Sequence, residues 1–319
     1  MTAQRSTFVI SMLLLFAAAC GIRADRIPPG AAAGQLERRS YMNSAGTRSY
    51  VLYKPSTGSA GKPLMIWLHG CTIPTPVKAG RALARVAEEK GFAVAFPLQA
   101  FAHSPGLCWN WFNPAHNHRG VGEASIIAGI TTSLISELGS DPSRVYIGGY
   151  SAGGAMSTVM GAAYPDIYAA IAPSAGAPYY FIDASGSLTY AEMGPRARPV
   201  PAFVFRGVTD EISVHLIGRA NILSWLGADD YADDGALNSS VPRTPSSVER
   251  RVIETKVRLP LTIEHYVSNG CEVGQFLTSP YEHLLNGALF YFDFGIELQR
   301  LMMDFLLSKR LGGPGVGCG

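Results

Sequence analysis

Charge is scarce in this chain. Only 16% of its 319 residues are Asp, Glu, Lys or Arg, and the formal net charge is +2. No Lys/Arg cluster interrupts this pattern, which argues against a nucleic-acid partner. Cysteine is sparse too, with five in all. None is spaced C-x-x-C, and the histidines form no metal-ligand cluster on any predicted helix, so neither a metal nor a cofactor is expected. No apolar run reaches the roughly 18 to 20 residues that cross a bilayer. What the chain does have is 47% hydrophobic residues, enough for a substantial core.

The amino terminus reads as a targeting segment over residues 1–19. Arg5 supplies the positive start, Phe8–Phe16 the apolar centre and Ala17-Ala18-Ala19 the small-residue cleavage zone. Cys20 follows directly, so two outcomes compete. One is ordinary cleavage; the other is acylation of Cys20, which would tether an outer-membrane lipoprotein without spanning the bilayer. Ala17 stands where a lipoprotein signal usually has leucine. Either route predicts a secreted, extracellular or periplasmic protein. Residues 20–40, rich in Ala, Gly, Pro and Arg, read as a tether, and residues 312–319 as a flexible tail. Between them, residues 41–311 suit one large domain.

Within that domain, apolar strands alternate with helices. Short runs at Tyr50–Tyr53, Pro63–Leu68, Phe92–Phe96, Val145–Tyr150, Ala169–Ala172 and Val200–Phe205 predict strands. Continuously apolar runs of this kind suit strands buried on both faces. Helices are expected over residues 78–90, 122–138, Ile217–Leu226 and Ile296–Leu311. Asn269-Gly270 between two strand-like runs is a strong hairpin signal. Residues 228–247, rich in Asp, Ser and Pro, read as an exposed loop. The fold class is therefore α/β, a mostly parallel sheet with helices on both faces.

The chemistry-bearing motif is Gly149-Tyr150-Ser151-Ala152-Gly153. It sits between an apolar strand and a helix-forming stretch. This is the pattern of a nucleophile elbow, where a serine occupies a strained turn and glycines two positions away avoid collision. Ala152 opens the helix, so its N–H can face a developing oxyanion. A serine hydroxyl needs a histidine base and a carboxylate that orients it, following in the order Ser, Asp/Glu, His on loops after strands. Asp210, just past Val200–Phe205, is the expected acid, with Glu211 its nearest rival and Asp183, Asp229 and Asp230 less well placed. His283, after the hairpin and before the last helix, is the expected base. His265 lies mid-strand. His69-Gly70-Cys71-Thr72 follows the first buried strand, where the second oxyanion donor belongs, and the Cys71 N–H is assigned to it.

These segments resemble the secreted poly(3-hydroxybutyrate) depolymerase family of esterases, which includes feruloyl-esterase-like members. The resemblance rests on Leu68-His69-Gly70-Cys71-Thr72, Cys108-Trp109-Asn110-Trp111-Phe112, Arg119-Gly120-Val121-Gly122-Glu123 and the serine motif with its Gly154-Ala155-Met156 tail. It implies an α/β-hydrolase fold, a Ser151–Asp210–His283 triad, and a serine ester hydrolase acting on polyester or its oligomers. It also implies a Cys71–Cys108 disulfide, with Trp109 and Trp111 near the cleft as substrate contacts or as core. Cys271 and Cys318 then remain as a pair by elimination. Two departures stand out: Arg206-Gly207-Val208 where the family has His-Gly-Asp/Thr, and Glu282-His283-Leu284-Leu285 where it has Gly-His-x-Trp. The alternative readings are a feruloyl or acetyl carbohydrate esterase, and a polymer-binding surface lipoprotein that has lost catalysis.

Overall fold

The computed structural model describes residues 34–71, 81–181, 183–211, 215–254, 258–282 and 295–312, with the backbone alone at Arg81, His215 and Leu216. The targeting segment, Cys20, His283 and Cys318 lie outside the described residues.

Ten strands form one sheet. In chain order they are β1 (Gln35–Asn43), β2 (Gly46–Lys54), β3 (Leu64–Leu68), β4 (Ala93–Pro97), β5 (Val145–Tyr150), β6 (Ala170–Ser174), β7 (Ala202–Gly207), β8 (Ser247–Glu254), β9 (Arg258–Ser268) and β10 (Cys271–Ser279). Their spatial order is β1-β2-β4-β3-β5-β6-β7-β10-β9-β8. The run from β4 to β10 is parallel throughout, and antiparallel strands close both sides.

β3 through β7 are buried at every position, as a parallel sheet covered on both faces requires. Alternate side chains feed two cores. Leu64, Ile66 and Leu68 join the layer containing Ile126, Ile127, Met156, Val159, Ile222 and Trp225. Those residues belong to α2 (Gly122–Leu138), α3 (Ala152–Ala163) and α5 (His215–Asp234). Met65 and Trp67 face the other layer, with Leu83, Val86, Met302 and Leu306 from α1 (Arg81–Lys90) and α6 (Ile296–Leu307). A short helix, α4 (Ser187–Met193), lies between β6 and β7 in the chain.

Three expectations are corrected. Residues 35–40, assigned to the tether, pair with β2 in β1; their side chains are mostly polar, as an outermost strand allows. The helix expected to end at Leu226 runs on to Asp234, because Asp229 and Asp230 are buried and bonded rather than solvated. The remainder of the 228–247 loop is therefore short, and Ser247 already opens β8. The hairpin is found as expected, with Asn269 (φ 52°) and Gly270 (φ 78°) both left-handed, the backbone a two-residue primed turn needs.

Candidate active site

Ser151 stands between β5 and α3 with φ 56° and ψ −121°. A non-glycine residue held there is strained by about 1–3 kcal/mol, which surrounding structure must offset. Packing forces the turn. A Cβ on Gly149 would come within 2.5 Å of the Leu68 carbonyl oxygen and of Gly153. One on Gly153 would come within 2.1 Å of that same Leu68 oxygen and 2.6 Å of the His69 oxygen. The glycines thus let the first turn of α3 press against the end of β3. That contact sets Gly153, next to Ala152, against the Leu68 and His69 carbonyls at the head of the His69-Gly70-Cys71 loop. The Ser151 N–H donates to the Ser174 carbonyl at 2.9 Å, and the Ala155 N–H to the Ser151 carbonyl at 2.9 Å.

Cys71 is joined to Cys108, as the resemblance implies. Cys271 is also disulfide-bonded; its expected partner, Cys318, is outside the described residues. Around the first bridge lies a buried polar network. His69 is 4% exposed. Its Nε2 accepts the Gln99 backbone N–H at 2.9 Å, so the proton sits on Nδ1, which donates to the Gly70 carbonyl at 2.7 Å. Burial pushes this imidazole below its ordinary range, against the pull of the Gly70 bond and the Glu123 charge. The Gln99 side chain donates to the Cys108 carbonyl at 3.0 Å and also to Glu123.

Glu123 is wholly buried. It takes the Asn110 backbone N–H at 2.7 Å, the Asn110 amide at 2.9 Å and the Arg48 guanidinium at 2.9 Å. A buried carboxylate survives only when paired and hydrogen-bonded in this way. Sequence reasoning gave Glu123 no role. The available signal was a carboxylate in the first turn of a helix whose inner face is apolar, directly after Gly122, whose φ is 44°.

Asp210 is 3% exposed whereas Glu211 is exposed. The other rivals have structural work. Asp183 accepts the Gly186 and Thr189 N–H groups at 2.9 and 2.8 Å at the start of α4, and Asp230 binds Ser239, Ser240 and Val241. The loop carrying Asp210 runs beside the end of β10: the Val208 N–H donates to the Ser279 carbonyl at 2.8 Å, and Thr209 to the Pro280 carbonyl at 2.9 Å. His283 follows three residues after Pro280 but is itself undescribed. Among the other histidines, His265 is bonded to Glu272 at 2.6 Å and His118 to Glu192 at 2.8 Å. Arg206 is fully buried, and none of its three guanidinium nitrogens has a hydrogen-bond partner among the described residues. Burial pushes it down to about 10, and the Asp210 charge opposes that shift.

Trp109 and Trp111 part company. Trp109 is wholly buried, with its ring centroid 5.5 Å from that of His69. A side chain without exposed surface has none to offer a substrate, so the expectation of substrate contact is corrected to packing beneath the loop. Trp111 is half-buried and stacks on Phe181 at 5.8 Å and 11°. These two rings come from loops that follow β4 and β6, the strands flanking β3 and β5. Their contact therefore joins the loops that follow the two strands on either side of the β3–β5 pair. Phe112, Tyr180 and Phe181 leave 65%, 48% and 50% of their surface exposed.

Residues 48–206 match the family model described as esterase PHB depolymerase. The poly(3-hydroxyalkanoate) depolymerase C of Paucimonas lemoignei is 32% identical over 192 residues, 60% of this chain and 46% of that protein. A probable acetylxylan esterase A of Aspergillus fumigatus is 33% identical over 138 residues, 43% of this chain and 36% of that one. The chain thus spans about half or less of the length of these relatives. Among solved structures, acetyl xylan esterase from Aspergillus awamori superposes with TM-score 0.61 at 22% identity, covering 78% of this chain and 94% of that one. The feruloyl esterase module from Clostridium thermocellum gives 0.51 at 15% identity, covering 85% and 94%. The fold is the α/β-hydrolase fold, and residues 48–206 form a domain of the esterase PHB depolymerase family.

Proposed function

We propose that this protein is a serine ester hydrolase that works through an acyl-enzyme, acting on polyhydroxyalkanoate-type polyester or its oligomers. The observation that carries the reading is Ser151 itself, held at positive φ on a strand-to-helix turn that its neighbouring glycines make possible. Ser151 Oγ attacks the ester carbonyl while His283 takes its proton. Asp210 orients His283. The N–H groups of Cys71 and Ala152 receive the oxyanion. The alcohol leaves with the proton returned by His283, and water then hydrolyses the acyl-enzyme by the same steps. No cofactor takes part. Support for the acid and base comes from the burial of Asp210 and from the bonds that tie its loop to the strand leading towards His283.

For the substrate, the exposed rings of Phe112 and Phe181 against Trp111, with the exposed Tyr180 next in the chain to Phe181, supply an apolar lip of the kind that suits a polyester chain. A second reading, an acetyl or feruloyl carbohydrate esterase, is favoured by relatives named acetylxylan esterase at 29–33% identity. Rates on poly(3-hydroxybutyrate) film and its oligomers, methyl ferulate and acetylated xylan separate the two. Hydrolysis of the film or oligomers well above the others is expected; a preference of orders of magnitude for ferulate or xylan acetate would overturn the substrate assignment. A polymer-binding protein without catalysis would fail to react with a fluorophosphonate at all. Secretion, by ordinary cleavage or with a lipid tether at Cys20, belongs to the same proposal. No helix among the described residues is long and apolar enough to cross a membrane.

A further inference from the structure

The two outer edges of the sheet are finished differently. At one, β1 is tied back to the body of the chain: Arg39 pairs with Glu37 and, across to α2, with Glu137 at 2.6 Å, and Asn43 donates to Ser125 at 3.2 Å. At the other, β8 pairs with β9 on one side and is exposed at every position but Ile253. In an antiparallel edge strand, every second residue turns its N–H and C=O away from the single neighbour. Those groups form a row that a further strand can pair. The side chains of β8 are arranged about a centre, Val248-Glu249-Arg250-Arg251-Val252. Val248 and Val252 leave 53% and 41% of their surface exposed. Glu249 stands 3.7 Å from the His265 ring, beyond hydrogen-bond reach. Neither Arg250 nor Arg251 has an ion-pair partner among the described residues. By the alternation of a strand, Val248, Arg250 and Val252 share one face, and Glu249, Arg251 and Ile253 the other.

We propose that β8 is the seat of a two-fold dimer, pairing antiparallel with β8 of a second copy of this chain so that the two sheets become one. The axis relating two such strands is normal to the sheet and keeps each face on its own side. Directly opposed residues also point to one face, so the axis passes beside a residue and not between two. Two of the registers this allows engage all but one of the eight residues of the strand, one centred on Arg250 and one on Arg251. Centring on Arg251 opposes Arg250 to Val252, Glu249 to Ile253 and Val248 to Glu254, and brings no opposite charges together. Centring on Arg250 opposes Glu249 to Arg251 and Val248 to Val252, each twice by symmetry. Opposite-charge and β-branched pairs of this kind are what stabilise neighbouring strands. The like-charged meeting is Arg250 with its own copy at the axis, where two long side chains can extend their heads into water. Such a contact is isologous and closes at two copies. Ser151 follows β5, five strands from β8 across the sheet, so the contact leaves it uncovered and does not depend on the ester-hydrolase reading.

Sedimentation velocity over a range of protein concentrations tests the contact. Wild type should pass reversibly from one chain to two as it is concentrated. Glu249→Arg opposes arginine to arginine twice, and Arg251→Glu opposes glutamate to glutamate twice; each should weaken dimerisation by roughly tenfold or more. The two changes together restore both opposite-charge pairs with the signs exchanged, and should return the dimer to within roughly threefold of wild type. Arg250→Thr removes the like-charged meeting at the axis and should tighten the dimer. A measurement without substitution guards against misfolding: amide hydrogen exchange across residues 247–254 of wild type should slow as the protein is concentrated. A single chain at every concentration, assemblies that grow past two copies, or exchange in β8 that ignores concentration would each overturn the proposal. So would a dimer unmoved by either single charge change, a double variant that stays a single chain, or weakening by Arg250→Thr.

Discussion

Gly153→Ala places one methyl group where the chain has no room. The added carbon would lie 2.1 Å from the Leu68 carbonyl oxygen and 2.5 Å from its carbonyl carbon. Both are backbone atoms of a fully buried strand, so no side chain can swing aside. Restoring an ordinary 3.4 Å contact requires the first turn of α3 and the end of β3 to separate by about 1.3 Å. Overpacking of this kind in a close-packed interior costs about 1–3 kcal/mol of stability. The effect on turnover should be larger than stability alone implies, because Ser151 and Ala152 ride on α3 while Cys71 follows β3. A displacement of about 1 Å in an active site can lower the rate by roughly a hundredfold. Urea denaturation gives the stability change, and steady-state hydrolysis of an aryl ester gives kcat. Gly58→Ala is the control: its φ is positive, 78°, so the backbone is strained by the change, but nothing lies within 4 Å of the added carbon. It should lose about 1 kcal/mol and no activity. Gly153→Ala with kcat within twofold of wild type would refute the claim that this contact sets the site.

Other perturbations follow from the same geometry. Asp210→Asn should fold normally yet lower kcat by up to about ten-thousandfold through the wrong imidazole tautomer, with Glu211→Gln nearly silent; the reverse pattern would reassign the acid. Glu123→Ala strands the buried Arg48 and should lower stability by about 3–5 kcal/mol, read as a shift in urea midpoint. Burial lowers the folded-state pKa of His69. The unfolded chain therefore binds the proton first, and stability falls as pH drops below the ordinary histidine value of about 6.5. Relative to wild type, His69→Asn should lose less stability between pH 7 and 5. Replacing Cys71 and Cys108 together by serine opens a loop with a sequence separation of 37 and should cost about 4 kcal/mol in the chain-entropy picture.

Much of the parallel core was legible because β3 to β7 are buried at every position and nearly all of their side chains are apolar. The 122–138 helix and the Asn269-Gly270 hairpin were legible because their end signals are local. β1 and β8 were not. Edge strands carry polar side chains on both faces, so Gln35–Asn43 and Ser247–Glu254 resemble solvated loop. The extension of α5 was hidden because buried Asp229 and Asp230 look like surface residues until their bonds are seen. At the site, the elbow could be read directly, since its glycines answer a local steric demand. Glu123 could not, because its partners Arg48, Gln99 and Asn110 come from three separate segments that only the tertiary fold brings together. Trp109 was ambiguous for a related reason: an aromatic beside a cysteine serves core and cleft alike, and its burial decides between them.

The most direct test is peptide mapping by mass spectrometry after brief exposure of the mature protein to a fluorophosphonate. A single phosphonylated serine, Ser151, is expected, lost in Ser151→Ala and strongly slowed in His283→Ala. Modification of a different serine, or undiminished labelling of the Ser151→Ala protein, would contradict the assignment of the nucleophile.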